Sequence, residues 1–271
     1  MKVVIFCGGM GTRLREYSEH IPKPLVNIGY RPILWHVMKY YAHFGHKDFI
    51  LCLGYKADMI KNYFLNYNEY TSNDFVYSRG GKDLQLLKSD IDDWKITFVD
   101  TGLHSNIGER LMKVRHLLEG EEMFLANYSD GLTDMKLPEM IDAFTESGKI
   151  ASMICPVPSQ SFHVVKFDGE NRVTDIQYVR DAGIVVNGGF FVFRKQIFDY
   201  MRPGEELVIE PFRRLIAENQ LMGYRYDRYW AMDTFKEQQE LSDMDSQGNA
   251  PWEVWKHSNG RAPKHILAEH I

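Results

Sequence analysis

Apolar positions along the chain alternate between two rhythms. Short, nearly continuous apolar runs occupy Lys2 to Phe6 (KVVIF), Phe49 to Leu53 (FILCL), Ile96 to Val99, Met123 to Asn127 (MFLAN) and Phe190 to Phe193. Runs of that length and composition predict buried strands. Between them, apolar residues recur at helical spacing. Ile33, Leu34, Val37, Met38, Tyr41 and Phe44 predict a helix closed by Gly45, and Met59, Ile60, Tyr63 and Phe64 predict a second. Leu111, Val114 and Leu117 mark a helix over 108–119, and Ile209 to Leu215 another. Strand, helix, strand, helix implies a parallel sheet with helices packed on its faces. The stretch 150–178 predicts short strands with a hairpin turn at Asp168-Gly169. Residues 222–230 read as one aromatic strand, and 67–93 as a polar excursion at the surface. Trp252 and Trp255, set among polar spacers, predict a tail that wraps the domain or docks a partner subunit. No repeat or linker interrupts the pattern, so one domain over 1–271 is expected, with a C-terminal extension from about 240.

The first predicted strand runs into Gly8-Gly9, and Gly11 follows after Met10. Glycines there let the backbone turn sharply and approach a ligand, and exposed amides in such a turn bind phosphate oxygens. Thr12, Arg13 and Lys23 add a hydroxyl and two cations nearby. The chain has no GxxxxGK[ST], and GMGTRL lacks the third glycine of GxGxxG. The stretch therefore suggests a nucleotide-phosphate site of another kind.

Two aspartates, Asp130 in SDG and Asp233 in MDT, each follow an apolar strand-like run. Ligands sit beyond the carboxyl ends of strands in open α/β sheets. One carboxylate from each of two strand ends would suit Mg²⁺, which takes a few carboxylates together with phosphate oxygens and water. An Asp before Gly also starts turns, and an Asp before Thr also caps helices.

GGMGTRL followed by IPKPL resembles the signature of the sugar-1-phosphate nucleotidyltransferases, and later segments are similar to the glucose-1-phosphate cytidylyltransferase type. The likeness runs from Lys2 to about Trp255. It implies a Rossmann-like three-layer α/β/α fold with a mostly parallel mixed sheet. It also implies a Mg²⁺-dependent transfer, in which a sugar-1-phosphate oxygen attacks the α-phosphorus of a nucleoside triphosphate, CTP by resemblance, and pyrophosphate leaves. On that resemblance Arg13 and Lys23 act on the phosphates, and Gly8, Gly9, Gly11 and Thr12 supply donors to them. Asp130 and Asp233 hold the metal, with SDG standing where the family has GDG. Gly54-Tyr55-Lys56 matches the family's GYK beside the base, and VDTG with Arg110 matches VDTG…GGRL near the triphosphate. Asn187 and Gly188 in NGGFFV, and Glu210 before Pro211, match the segments that contact the acceptor sugar. The family forms homo-oligomers, so the same is expected of this chain.

One departure bears on the acceptor. The family carries QEKP shortly before NGG, and its lysine holds the sugar phosphate; here the segment is Gln177-Tyr178-Val179-Arg180-Asp181. Arg180 is the replacement cation, but a guanidinium does not substitute for an ammonium without moving its neighbours. The acceptor is then a modified sugar phosphate or another small phosphate or phosphonate as readily as glucose-1-phosphate. A non-catalytic nucleotide-binding sensor or assembly subunit is the alternative. A glycosyltransferase of similar fold would need a DxD at a strand end, and Asp90-Ile91-Asp92 and Asp243-Met244-Asp245 both lie in polar stretches.

Composition narrows the picture without redirecting it. A net charge of −5 argues against a general nucleic-acid binder. Cys7, Cys52 and Cys155 are widely spaced in or beside apolar runs, which predicts buried free thiols in a reducing compartment. With no 18-residue apolar run and no signal-peptide layout, a cytoplasmic protein without a membrane partner is expected.

Overall fold

A computed structural model of the chain describes residues 1–11, 20–158 and 162–257. Seven strands form one twisted sheet: β1 (Val3–Phe6), β2 (Asp48–Leu53), β3 (Lys95–Asp100), β4 (Met123–Asn127), β6 (Ala151–Cys155), β7 (Phe190–Arg194) and β8 (Leu221–Arg225), in the spatial order β8-β6-β7-β4-β1-β2-β3. β1 pairs in parallel with β2 and β4, β2 with β3, and β6 with β8; β7 runs antiparallel to both β4 and β6. The mostly parallel α/β architecture expected from the sequence is therefore present.

β1 is the spine. Val3, Val4 and Ile5 are wholly buried, and each such side chain contributes about 1.5–3 kcal/mol on removal from water. Alternation sends Val3, Ile5 and Cys7 into one core and Val4 and Phe6 into the other. The first core is shared with α1 (Ile33–His43), Ile60 of α2 (Ala57–Leu65), α4 (Leu137–Ser147) and Trp252. The second takes Leu111 and Val114 of α3 (Ile107–Val114) and Phe212 and Leu215 of α5 (Glu210–Ala217). Helices thus cover both faces.

Two expectations are corrected. Residues 222–230 are not one strand: Asp227 and Arg228 interrupt the apolar run, and the chain turns there, Tyr229 N donating to Asp227 O at 3.1 Å. After β8 on the large sheet, β9 (Tyr229–Ala231) pairs instead with β5 (Gly131–Thr133) in a separate antiparallel ladder. The helix over 108–119 is α-helical only to Val114 and tightens into a 3₁₀ turn over Arg115–Leu118.

The excursion over 67–93 carries an exposed hairpin, Phe75–Ser78 with Asp83–Leu86. Its base is pinned by Asp90, which accepts from Ser72 Oγ at 2.7 Å and Tyr67 OH at 3.0 Å and pairs with Arg31 and Lys39. Asp90 of the first DxD is thus a buried structural carboxylate.

Candidate active site

The carboxyl ends of β1, β2, β3 and β4 open on one rim, and four turns meet there. Because β7 is antiparallel, its amino end lies on the same rim: Phe190 pairs with Asn127, and Tyr128 N donates to Gly189 O at 3.1 Å. That inversion carries Asn187 and Gly188 beside the end of β4. A cavity of about 220 Å³ lies at the rim, lined by residues that include Gly9, Gly11, Lys23, Tyr128, Ser129 and Asp130. Thr12 and Arg13 lie outside the described residues.

The ladder between β5 and β9 joins two distant carboxylates. Ala231 pairs with Gly131, and the next bond runs from Met232 N to Asp130 O at 2.9 Å. Asp233 therefore follows directly beside Asp130. Asp233 does not cap the helix after it. Thr234 does, with a capping box to Glu237 at the start of α6 (Phe235–Ser246). Glu237 Oε2 also accepts from Asp233 N at 2.8 Å, which steadies the backbone and leaves the Asp233 carboxylate aimed at the rim.

Lys23 enters from the opposite side as the first residue of a 3₁₀ turn, Lys23–Leu25, with Pro22 before it and the buried Pro24 after it. Its Nζ donates to Asp130 Oδ2 and to Asp233 Oδ1, both at 2.6 Å. The three side chains are 12%, 26% and 25% exposed respectively, half-buried enough for the charges to act strongly on one another. Burial pulls the Lys23 ammonium down, but Asp130 and Asp233 outweigh it and hold its pKa above the usual value.

Two carboxylate oxygens thus converge within 2.6 Å of one cationic centre. Among the described residues no group of three or more His, Cys, Asp or Glu is gathered as a metal site. A hard, two-carboxylate donor set suits Mg²⁺, which keeps its remaining positions for water and substrate phosphates.

The glycine turn and the Gly54-Tyr55 turn are joined, Tyr55 N donating to Gly8 O at 3.2 Å. Arg110 is not on the cavity side of these turns. It is 3% exposed and donates to the carbonyls of Gly8, Leu53, Gly102 and Leu103 and to Thr101 Oγ1. The first turn of α3, set by a capping box between Asn106 and Glu109, aims it inward.

Beside the end of β4, Asn187 Nδ2 donates to Tyr128 OH at 3.1 Å, and Asn187 Oδ1 accepts from Gly189 N at 2.9 Å. Gly188 packs against Ile154, to whose carbonyl its N–H donates at 3.1 Å. Glu210 opens α5 and accepts from Glu206 N at 3.1 Å; it does not line the cavity. Arg180 is not brought to the cavity either. It follows the exposed hairpin His163–Phe167 and Val173–Tyr178, and its guanidinium, 68% exposed, packs over the Tyr178 ring. The hairpin carries it outward.

Sequence reasoning assigned no role to Tyr128 or Glu237, and read Ser129 only as a small replacement for glycine in SDG. Tyr128 stands two residues before Asp130 in YSDG, and Thr234-x-x-Glu237 is a capping-box pattern visible in the sequence. Ser129 sits at φ +70° with its Oγ donating to Phe6 O at 3.0 Å, which only the backbone reveals. The three thiols are buried and free, as expected, and burial pushes that of Cys52 up to about 12.

A family model described as nucleotidyl transferase matches residues 2–234. A probable glucose-1-phosphate cytidylyltransferase of Bacillus subtilis is 37% identical over 258 residues, spanning 94% of this chain and all of the relative. The glucose-1-phosphate cytidylyltransferase of Salmonella typhi is 35% identical over the same shares. In fold, the chain resembles a UDP-glucose pyrophosphorylase complexed with UDP-glucose (TM-score 0.67, 16% identity, 91% of this chain and 98% of that one). It also resembles HddC from Yersinia pseudotuberculosis complexed with GMP-PN (TM-score 0.62, 19% identity, 90% and 99%).

Proposed function

The chain belongs to the nucleotidyl transferase family, and we propose that it transfers CMP from CTP to a sugar-1-phosphate or a related small phosphate or phosphonate, releasing pyrophosphate. The observation that carries this reading is Lys23 set between Asp130 and Asp233 on the rim beside the glycine turn. A phosphate oxygen of the acceptor attacks the α-phosphorus, a P–O bond forms, and the α–β bridging bond breaks with its electrons going to pyrophosphate. No covalent enzyme intermediate is required, so the protein's part is positioning and charge neutralisation.

The amides of the turn from Gly8 to Gly11 would receive the triphosphate, with Thr12 and Arg13 adding donors. Lys23 has a flexible four-carbon stem and three rotatable donors, so its ammonium can serve the carboxylates and the transferring phosphate in turn. Asp130 and Asp233 would hold Mg²⁺, whose charge would offset that of the phosphate oxygens. Gly54 and Tyr55 would flank the base.

The acceptor meets Tyr128 and Asn187, two neutral hydrogen-bonding groups suited to sugar hydroxyls. The family lysine that holds the sugar phosphate is missing, and Arg180 turns outward. This supports an acceptor chosen by hydroxyl contacts and by Lys23. Its product would be an activated CDP- or CMP-linked precursor for a surface polysaccharide or specialised metabolite. Assembly into a homo-oligomer in the cytoplasm belongs to the same proposal. The exposed Phe167, Val173 and Ile176 of the 163–178 hairpin support the oligomer, and no helix of the described residues is long and apolar enough to cross a membrane.

The test is pyrophosphate release with Mg²⁺, with the four ribonucleoside triphosphates and TTP offered against sugar-1-phosphates and small phosphonates. Release with CTP and one acceptor is expected. Tight nucleotide binding without release for any pair would favour a sensor or assembly subunit instead.

A further inference from the structure

Tyr229 stands in β9 opposite Thr133 of β5, and Ala231 with Gly131 forms the pair at the end of that ladder. Leu132 and Met232 are buried in the first core, so alternation puts Tyr229, Ala231 and Asp233 on the other face. The half-buried Tyr229 ring leans diagonally across to Gly131. A Cβ on Gly131 would lie 2.4 Å from its hydroxyl oxygen and 2.8 Å from Cζ. The glycine of SDG is thus a space requirement, and it sets the phenol beside Asp130, which lines the cavity.

Burial, and then the charges of Asp130 and Asp233, push the Tyr229 phenol well above its usual pKa. It therefore keeps its proton and can donate it to a hydrogen bond. Nearby tyrosines are satisfied: Tyr226 OH donates to Asp134 Oδ1 at 2.9 Å, and Tyr128 OH accepts from Asn187 Nδ2 at 3.1 Å. The Tyr229 hydroxyl has no hydrogen-bond partner among the described residues. A tyrosine hydroxyl in such a place ordinarily has one. A donor left over beside two carboxylates that Lys23 already engages points to a ligand.

Two phosphate-bearing substrates must meet at this rim. The triphosphate has the amides of the glycine turn. For the acceptor phosphate, Lys23 is the one cation lining the cavity among the described residues, and it is shared between Asp130 and Asp233. Arg180 packs over Tyr178 instead. The acceptor phosphate must come close to the two carboxylates to reach the α-phosphorus, and the Tyr229 hydroxyl is the uncommitted donor there.

We propose that Tyr229 is an acceptor-binding residue: its hydroxyl donates to a non-attacking oxygen of the acceptor phosphate and so turns the attacking oxygen toward the α-phosphorus. This rests on the nucleotidyl-transfer reading and deepens it, giving the acceptor phosphate a neutral donor. The phenol keeps its proton throughout, and no bond to Tyr229 forms or breaks.

Tyr229→Phe keeps the ring over Gly131 and removes only the donor. Pyrophosphate release by wild type and variant is measured with Mg²⁺ while CTP and the acceptor are varied in turn. Binding of inorganic phosphate, without nucleotide, is followed by calorimetry on the same preparations. The acceptor KM should rise by about tenfold, the value of a hydrogen bond to a charged group, with the CTP KM little changed and phosphate binding weakened alike. A rise in the CTP KM instead would put the hydroxyl on the triphosphate and overturn the proposal. Unchanged KM values, with or without a fall in kcat, would overturn it too. A wild type that releases no pyrophosphate with any pair would sink the transfer reading, and phosphate binding then decides Tyr229 alone. Weaker binding in Tyr229→Phe would uphold the contact; equal or absent binding in both proteins would overturn it.

Discussion

Lys23 Nζ lies 2.6 Å from Asp233 Oδ1, a contact between residues 210 positions apart. A lysine between two prolines supplies the ammonium, and an antiparallel ladder far along the chain supplies the carboxylate. With Asp130 on its other side, Lys23 keeps two like charges from facing each other alone.

Replacing Lys23 by Met should therefore leave the carboxylates uncompensated. The expected loss is about 1–3 kcal/mol, between the values for exposed and buried pairs. Turnover should fall much further, by about a hundredfold or more. Urea unfolding and pyrophosphate release on the same preparation separate the two effects. A large stability loss with near-normal turnover would make Lys23 structural.

Ser129 occupies the left-handed region at φ +70°, which glycine adopts without strain. The backbone strain costs about 1–2 kcal/mol, and the bond from its Oγ to Phe6 O contributes about 1 kcal/mol. Ser129→Gly removes both and should be close to neutral. Ser129→Ala keeps the strain and loses the bond, and should be less stable than Ser129→Gly by about 1 kcal/mol. Thermal melting of the pair checks the order; Ala equal to or above Gly would contradict it.

Acceptor recognition should follow Asn187 and bypass Arg180. Asn187→Ala, which also frees Tyr128 OH, should raise the acceptor KM by about tenfold with little change in the CTP KM. Arg180→Ala should leave both nearly unchanged, because its guanidinium is occupied with Tyr178. A raised acceptor KM in Arg180→Ala would return that residue to the site.

His36 is buried beside Trp35 and Trp255, its Nε2 donating to Ile28 O at 3.0 Å, and burial pulls its pKa down to about 4. The native state then binds fewer protons than the unfolded state between pH about 6.5 and 4, so stability falls as pH drops through that window. The full effect of such a shift is about 3 kcal/mol. His36→Phe should cost stability at pH 7, leaving Ile28 O without this donor, but should flatten the acid slope. Urea midpoints at pH 7, 6 and 5 compare the two; parallel slopes would exclude His36 as the source.

Much of this site could be read from the sequence. An apolar run ending in glycine or aspartate marks a strand end, and parallel strands place their ends on one rim, so the Gly8 turn and Asp130 were visible in advance. What joins them was not. The pairing of β5 with β9 depends on three-residue strands with no periodicity of their own, and the turn at Asp227-Arg228 hides inside an aromatic run. Helix phase showed that Leu111 and Val114 face inward, but not that Arg110 reaches under three turns. Backbone conformation at Ser129 is likewise invisible in a string of letters.

The measurement that bears most directly on the central claim is pyrophosphate release by Asp233→Asn at saturating Mg²⁺, CTP and acceptor. The exchange removes one charge and keeps the shape, and Lys23 retains Asp130. If the two carboxylates and Lys23 form the transfer centre, release should fall by about a thousandfold while the fold survives. Activity within about tenfold of wild type would contradict the account, placing the chemistry elsewhere on the rim.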